Sequence, residues 1–207
     1  SLRTAAAARN LDVWLTDPAV QAVFASTPFA ARDLPESTPT KDVIGVYLNN
    51  QSSSKLDYYL GTTLTTGAAV CTPDGRQVDR VSLALANALK PSALAGLSDS
   101  ISGSVYGNLG LTKGEQRYVV FVYLPTGATL LAASVDGKAV AATGQNDSGH
   151  PVQTLWVNVP PGATANLSVD VLMGTPGARS LVAQVTPTIQ GTKTLTAPLD
   201  CTTVKLP

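Results

Sequence analysis

The chain has 207 residues, enough for one large or two small domains with a sizeable core. Fourteen Lys and Arg balance fourteen Asp and Glu, and only 14% of residues are charged, so the basic surplus that a nucleic-acid binder needs is missing. With 44% of residues apolar it is no disordered tail, and no run approaches the ~18 apolar residues of a membrane span.

Leu2 to Asn10 is an Ala-rich run that favours helix and carries Arg3 and Arg9 but no apolar core of a secretory signal. Leu11, Val13 and Leu15 alternate as a short strand would. Asp17 followed by Pro18 is a helix start, and Val20, Val23 and Phe24 give the helix an apolar stripe. A connector with Pro35 and Pro39 leads to the strand-like run from Asp42 to Leu48. The polar stretch Asn49 to Lys55 and a second strand-like run, Leu56 to Leu60, complete an expected hairpin.

Beyond that point the pattern is all β. Strands are expected at Thr65–Thr72, Gln77–Ala86, Glu115–Leu124, Thr129–Val135, Thr154–Val159, Thr164–Leu172 and Leu181–Thr186. Turns at Pro73-Asp-Gly75, Pro125-Thr-Gly127, Asp136-Gly137 and Pro160-Pro-Gly162 separate them, and Asp136-Gly137 marks a tight hairpin. Short strands with turns every 8–12 residues predict an antiparallel, immunoglobulin-like β-sandwich. The strand around Tyr118 to Tyr123 is apolar on both faces and so central. Residues 88–113 form a loop or short helix crossing one end. The expected organisation is an α/β segment over residues 1–60, the end of a domain lying mostly upstream, and a β-sandwich over residues 61–207.

Cys71 and Cys201 are the only cysteines, both in runs that read as strand or strand end. Few charges and many Thr, Ser, Gly and Pro suit an extracytoplasmic protein, and there the pair forms one disulfide. Closing so long a loop is worth at most about 5 kcal/mol. Two distant thiols and one histidine do not make a zinc site, and no cofactor motif is present.

The motifs that could carry chemistry reduce to ordinary structure. Ser52-Ser-Ser-Lys55 has the spacing of a serine–lysine nucleophile pair but lies between strand-like runs rather than at a helix start. His150 is the only histidine and sits in a turn leading into a strand, with no Gly-x-Ser-x-Gly elbow anywhere. Asp12, Asp17, Asp42 and Asp57 flank strands or cap helices. Trp14, Trp156, Tyr58, Tyr59, Tyr118 and Tyr123 are expected mostly in the core, although an exposed one could stack on a sugar ring. Catalysis by these residues is not expected.

Three segments carry a resemblance: Val13-Trp-Leu-Thr-Asp-Pro-Ala-Val-Gln21, the run from Val43 through Leu48 to Tyr59, and Gly144-Gln-Asn-Asp-Ser-Gly-His-Pro-Val152. The turns at Tyr123–Ala128 and Val159–Gly162 add to it. They resemble the carboxy-terminal part of the largely actinobacterial family called domain of unknown function 4012. The resemblance implies an extracytoplasmic location in the cell envelope, with the membrane reached only through a transmembrane helix upstream of Ser1. It further implies a distant similarity to the LytR–CpsA–Psr glycopolymer transferases, in which arginines hold the pyrophosphate of a lipid-linked donor. Arg3 and Arg9 are the candidate phosphate contacts here, although the arginine spacing of those enzymes is absent. The expected function is a non-catalytic, structural or ligand-positioning module whose partner is cell-wall polymer or another envelope protein. The alternative is the terminal part of an envelope glycopolymer transferase or modifying enzyme with its active site upstream.

For the disulfide, alkylation of the denatured protein is expected to add mass only after reduction. Two thiols titrating in the untreated, denatured chain would refute the bridge between Cys71 and Cys201.

Overall fold

In the computed structural model, which describes residues 1–30, 34–103, 109–177 and 180–196, the chain divides into two compact units, Ser1–Pro35 and Glu36–Pro207. In the first, Ser1 caps α1 (Leu2–Ala7) by accepting a bond from the Thr4 N–H at 3.3 Å. Asp17 caps α2 (Pro18–Phe24), its Oδ1 accepting from the N–H groups of Ala19 (2.8 Å) and Val20 (3.2 Å), with Pro18 pre-set for the first turn. The expected strand at Leu11–Leu15 shrinks to one parallel bridge, Val13 to Ala30. Its neighbour is the side chain of Gln21, which accepts from the Leu15 N–H at 2.7 Å instead of a second strand doing so. The apolar stripe of α2 is not a core face either, since the helix buries none of its residues.

The second unit is mainly β, with two mixed sheets. Its strands are β1 (Lys41–Asn50), β2 (Leu60–Cys71), β3 (Gln77–Asn87), β4 (Gln116–Tyr123), β5 (Thr129–Val135), β6 (Lys138–Ala139), β7 (Thr143–Asp147), β8 (His150–Val159), β9 (Thr164–Leu172), β10 (Ser180–Val185) and β11 (Thr192–Thr196). The five-stranded sheet runs β10-β1-β4-β8-β7 and the six-stranded sheet β11-β2-β3-β9-β5-β6. Period-two patterning explains them. Along β3 the side chains of Val81, Leu83 and Leu85 are buried, and along β9 those of Ala165, Leu167, Val169 and Val171. With Ile44, Val46, Tyr118, Val120, Val122, Leu155, Val157 and Val159 of the other sheet they form one hydrophobic cluster. β4 is the middle strand of its sheet, as its two apolar faces predict. Asp136 and Gly137 both adopt positive φ (50° and 75°), the backbone of the tight β5–β6 hairpin.

Two expectations need correcting. The arrangement is not all antiparallel: β10 runs parallel to β1, and β11 runs parallel to β2. The expected hairpin of residues 42–60 does not form, because β1 and β2 belong to different sheets. Leu56–Tyr59 is a 3-10 turn that carries the chain across. Leu56 is fully buried there, and the Asp57 carboxylate accepts from Asn50 Nδ2 (2.9 Å) and from the Tyr118 hydroxyl (2.8 Å). Residues 36–60 fall in the second unit.

The β11–β2 pairing keeps a constant offset of 130, from Thr192 opposite Thr62 to Thr196 opposite Thr66. Cys201 follows Cys71, the last residue of β2, by the same interval, but Cys201 lies outside the described residues.

Residues 88–113 include a 3-10 turn at Pro91–Gly96 and a single helical turn, α3 (Asp99–Ser102). Asn87 anchors the start of this excursion. Its buried Nδ2 donates to the carbonyls of Gly114 (3.0 Å) and Val159 (3.1 Å), and its Oδ1 accepts from the Leu89 N–H (3.1 Å). Asn87→Leu strips three backbone groups of their partner. The expected loss is about 2–4 kcal/mol of unfolding free energy, read as a lower urea midpoint at unchanged slope. An unchanged midpoint would show that this amide holds nothing in place.

Candidate functional site

The outward face of β4 and β8 holds the most distinctive surface group in the second unit. Their antiparallel register sets Arg117 opposite Asn158 and Val119 opposite Trp156. Leu155, Val157 and Val159 point into the core, so Trp156 and Asn158 must point out. Trp156 is 59% exposed. β7 pairs with β8 between His150 and Thr154, and among the described residues no strand pairs with the Trp156–Asn158 stretch on that side. The β5–β6 hairpin supplies the remaining wall, with Val135, Asp136, Lys138 and Val140. Together these residues line an open recess of about 690 Å³.

Arg117 is held rather than free. Its Nε donates to Asn158 Oδ1 (2.9 Å) and its Nη1 to the carbonyl of Leu109 (3.0 Å), while its backbone N–H donates to the buried Ser52 hydroxyl (2.7 Å). Asp136 is also tethered, its Oδ1 accepting from the Asn166 N–H at 2.8 Å. A flat apolar ring, a fixed guanidinium, an amide, an ammonium and a carboxylate thus share one shallow surface.

Most residues singled out in the sequence lie elsewhere. Ser52 is no nucleophile: its hydroxyl is committed to Arg117, and Lys55 is exposed. His150 opens β8 opposite Asp147, and its buried Nδ1 meets no hydrogen-bond partner. Asp147 accepts instead from the Tyr123 hydroxyl at 2.7 Å. Burial, then the Asp147 bond, pushes that hydroxyl up to about 12, while the Tyr123 and Ser148 hydroxyls hold Asp147 below the ordinary carboxylate range. Arg3 lines a recess of about 660 Å³ within the first unit, beside Gln21, Thr27 and Pro28; Arg9 is not among its lining residues. The aromatic residues are less buried than their strand positions suggested. Tyr118 is in the core, but Trp14 (67%), Tyr58 (59%) and Trp156 are exposed. Among the described residues no group of three or more His, Cys, Asp or Glu is placed to hold a metal, and no helix is long and apolar enough to cross a membrane.

No protein-family model matches the chain, and no curated protein matches it. Among solved structures it is similar to a candidate nutrient-binding protein from Legionella pneumophila, at 14% identity and a TM-score of 0.31 over 68% of this chain and 41% of that one. An M1 zinc metallopeptidase from Deinococcus radiodurans is similar at 14% identity and a TM-score of 0.26, over 69% of this chain and 22% of that one. A candidate protease from Parabacteroides distasonis gives 20% identity and 0.27, over 57% and 23%. The chain therefore spans less than half of each neighbour, and at these scores the likeness carries no argument about function.

One titratable residue escaped the sequence reading. Asp79 of β3 is 1% exposed, and neither carboxylate oxygen has a hydrogen-bond partner. It lies at the inward parity of Val81 and Leu83, which a strict period-two count of the strand would have found. Burial first, and then the negative charge of Asp42 on the other sheet, push its carboxyl from 3.8 up to about 6. A carboxyl raised in the folded state binds its proton more tightly there than in the unfolded chain. Stability is therefore full below pH ~4, falls as pH climbs towards 6, and stays reduced above it. Asp79→Asn is expected to raise stability at pH 7 by about 1–2 kcal/mol and to flatten the decline between pH 4 and 6. Thermal melts across that range check it, and an Asp79→Asn protein with the parent's pH profile would refute it.

Proposed function

We propose that this chain is a non-catalytic, extracytoplasmic module of a bacterial cell-envelope protein, an immunoglobulin-like β-sandwich that positions its parent protein on wall polymer through the Trp156 recess. The observation that carries the reading is the exposed indole beside a fixed guanidinium and an amide in one open surface. An open, shallow groove suits a segment of polymer better than an enclosed small molecule, because the chain can run out of it at both ends. The lining has no histidine, cysteine or hydroxyl that a base could activate, which favours holding a ligand over transforming it. A Cys71–Cys201 bridge would suit an oxidising location, and the family resemblance supplies the envelope setting and an upstream anchor.

Purified wall sacculi provide the test. The protein is expected to co-sediment with them, and Trp156→Ala to lower the retained fraction's affinity by roughly tenfold, the loss of one stacking platform. Equal retention of the parent and Trp156→Ala, or measurable cleavage of the polymer by the protein, would sink the proposal.

A further inference from the structure

We propose that the Trp156 recess selects saccharides that carry an anionic group, with the sugar ring on Trp156 and a carboxylate or phosphate on Arg117. This rests on the wall-polymer reading and names the ligand class of that site. Two other arginines of the second unit are each paired with a carboxylate. Arg80 forks onto Asp170 with two bonds of 2.7 Å, and Arg76 meets Asp74 at 2.8 Å. Arg117 breaks that habit: both side-chain partners, the Asn158 amide oxygen and the Leu109 carbonyl, are neutral. Among the described residues no carboxylate pairs with it.

The two bonds fix the plane of the guanidinium and use two of its five N–H groups, leaving three donors and the full charge for a ligand. On the sheet surface Arg117 is the diagonal neighbour of Trp156, at about 7–8 Å between Cα atoms. That distance suits a pyranose lying on the indole with one exocyclic acidic group reaching the arginine. On the hairpin wall Lys138 and Asp136 carry opposite charges, with Asp136 tethered to the Asn166 N–H, so the surplus positive charge of the recess is that of Arg117. A small free anion would leave the indole unused, and a neutral sugar would leave the guanidinium unused. A ligand that uses both carries ring and charge together.

The test uses the whole chain with Trp14→Phe, so that Trp156 is its single indole. Three probes of equal length are titrated against Trp156 emission: an oligohexuronate, a phosphate-bearing oligosaccharide and a neutral oligoglucose. At least one anionic probe is expected to bind about tenfold more tightly than the neutral one, as a charge-assisted fork should, with the advantage shrinking as salt is added. The two anionic arms distinguish carboxylate from phosphate. Arg117→Gln is expected to bring the anionic affinity down to the neutral level. Arg117→Lys, which keeps the charge and loses the planar fork, is expected to retain part of the preference. Equal affinity for all three probes, or no change in either Arg117 variant with an unchanged melting curve, overturns the inference while wall retention through Trp156 stands. An oligoglutamate peptide that binds as tightly as the best sugar also overturns it. If no probe binds and Trp156→Ala leaves wall retention intact, the wall-polymer reading itself fails.

Discussion

Everything in the second unit depends on one crossing, the passage of the chain from β1 in one sheet to β2 in the other. A crossing exposes backbone and buries polar side chains at once, and this one resolves the conflict with a small hydrogen-bond lattice. The Tyr118 hydroxyl lies between Asp57 Oδ1 and Gln116 Oε1, at 2.8 and 2.7 Å, and Gln116 Nε2 donates to the carbonyl of Leu56 at 2.9 Å. Asn50 closes the circuit by donating to Asp57 and accepting from the Ser52 N–H at 2.8 Å. Burial and the adjoining Asp57 charge keep the Tyr118 hydroxyl protonated far above its ordinary range. The lattice also reaches the outer surface, because Ser52 grips the backbone of Arg117, whose side chain then lies against Asn158. The outer recess is thus built on a residue that the interior crossing already fixes.

The interior treats its polar groups in two ways. Asn87 has both amide donors and its oxygen bonded to backbone and costs the fold little for being buried. Asp79 has none occupied and sits near a second acid. The first is a clamp. The second is a standing penalty, and its position between the sheets makes the core sensitive to proton concentration in a way the outer ion pairs, exposed and screened, are not.

Eight strands were legible in the sequence, β1 among them, because alternation and turn chemistry agree there: Gln77 to Ala86 reads as β3, and Asp136-Gly137 as the turn of the β5–β6 hairpin. Their partners were not legible. Leu56-Asp-Tyr-Tyr-Leu60 alternates like a strand, and only the buried seat of Leu56 and the bonds on Asp57 turn it into a crossing. β11 was missed because Thr192-Lys-Thr-Leu-Thr196 has too little apolar contrast to announce a strand without its parallel partner β2. The site was half visible. Parity around Leu155 and Val157 places Trp156 outside, and parity around Tyr118 and Val120 does the same for Arg117. That the two sit together depends on β4 pairing with β8, which no local pattern encodes.

The parallel pairs at the sheet edges have a consequence for how the chain assembles. β10 lies along β1 and β11 along β2, so a single stretch, residues 180–196, retraces the opening strands and completes both sheets. During synthesis β1 to β9 emerge first, and until that stretch follows, β1 and β2 are bare rims. Thr186 fastens the return by accepting from the Leu48 N–H at 2.9 Å, and the Thr62 and Thr192 hydroxyls meet at 2.7 Å. Such contacts join residues more than a hundred positions apart, so they form late and slowly. A neighbouring molecule that offers its own returning stretch first would find the same rims open, which makes exchange of this stretch between two growing copies the natural misassembly of this fold.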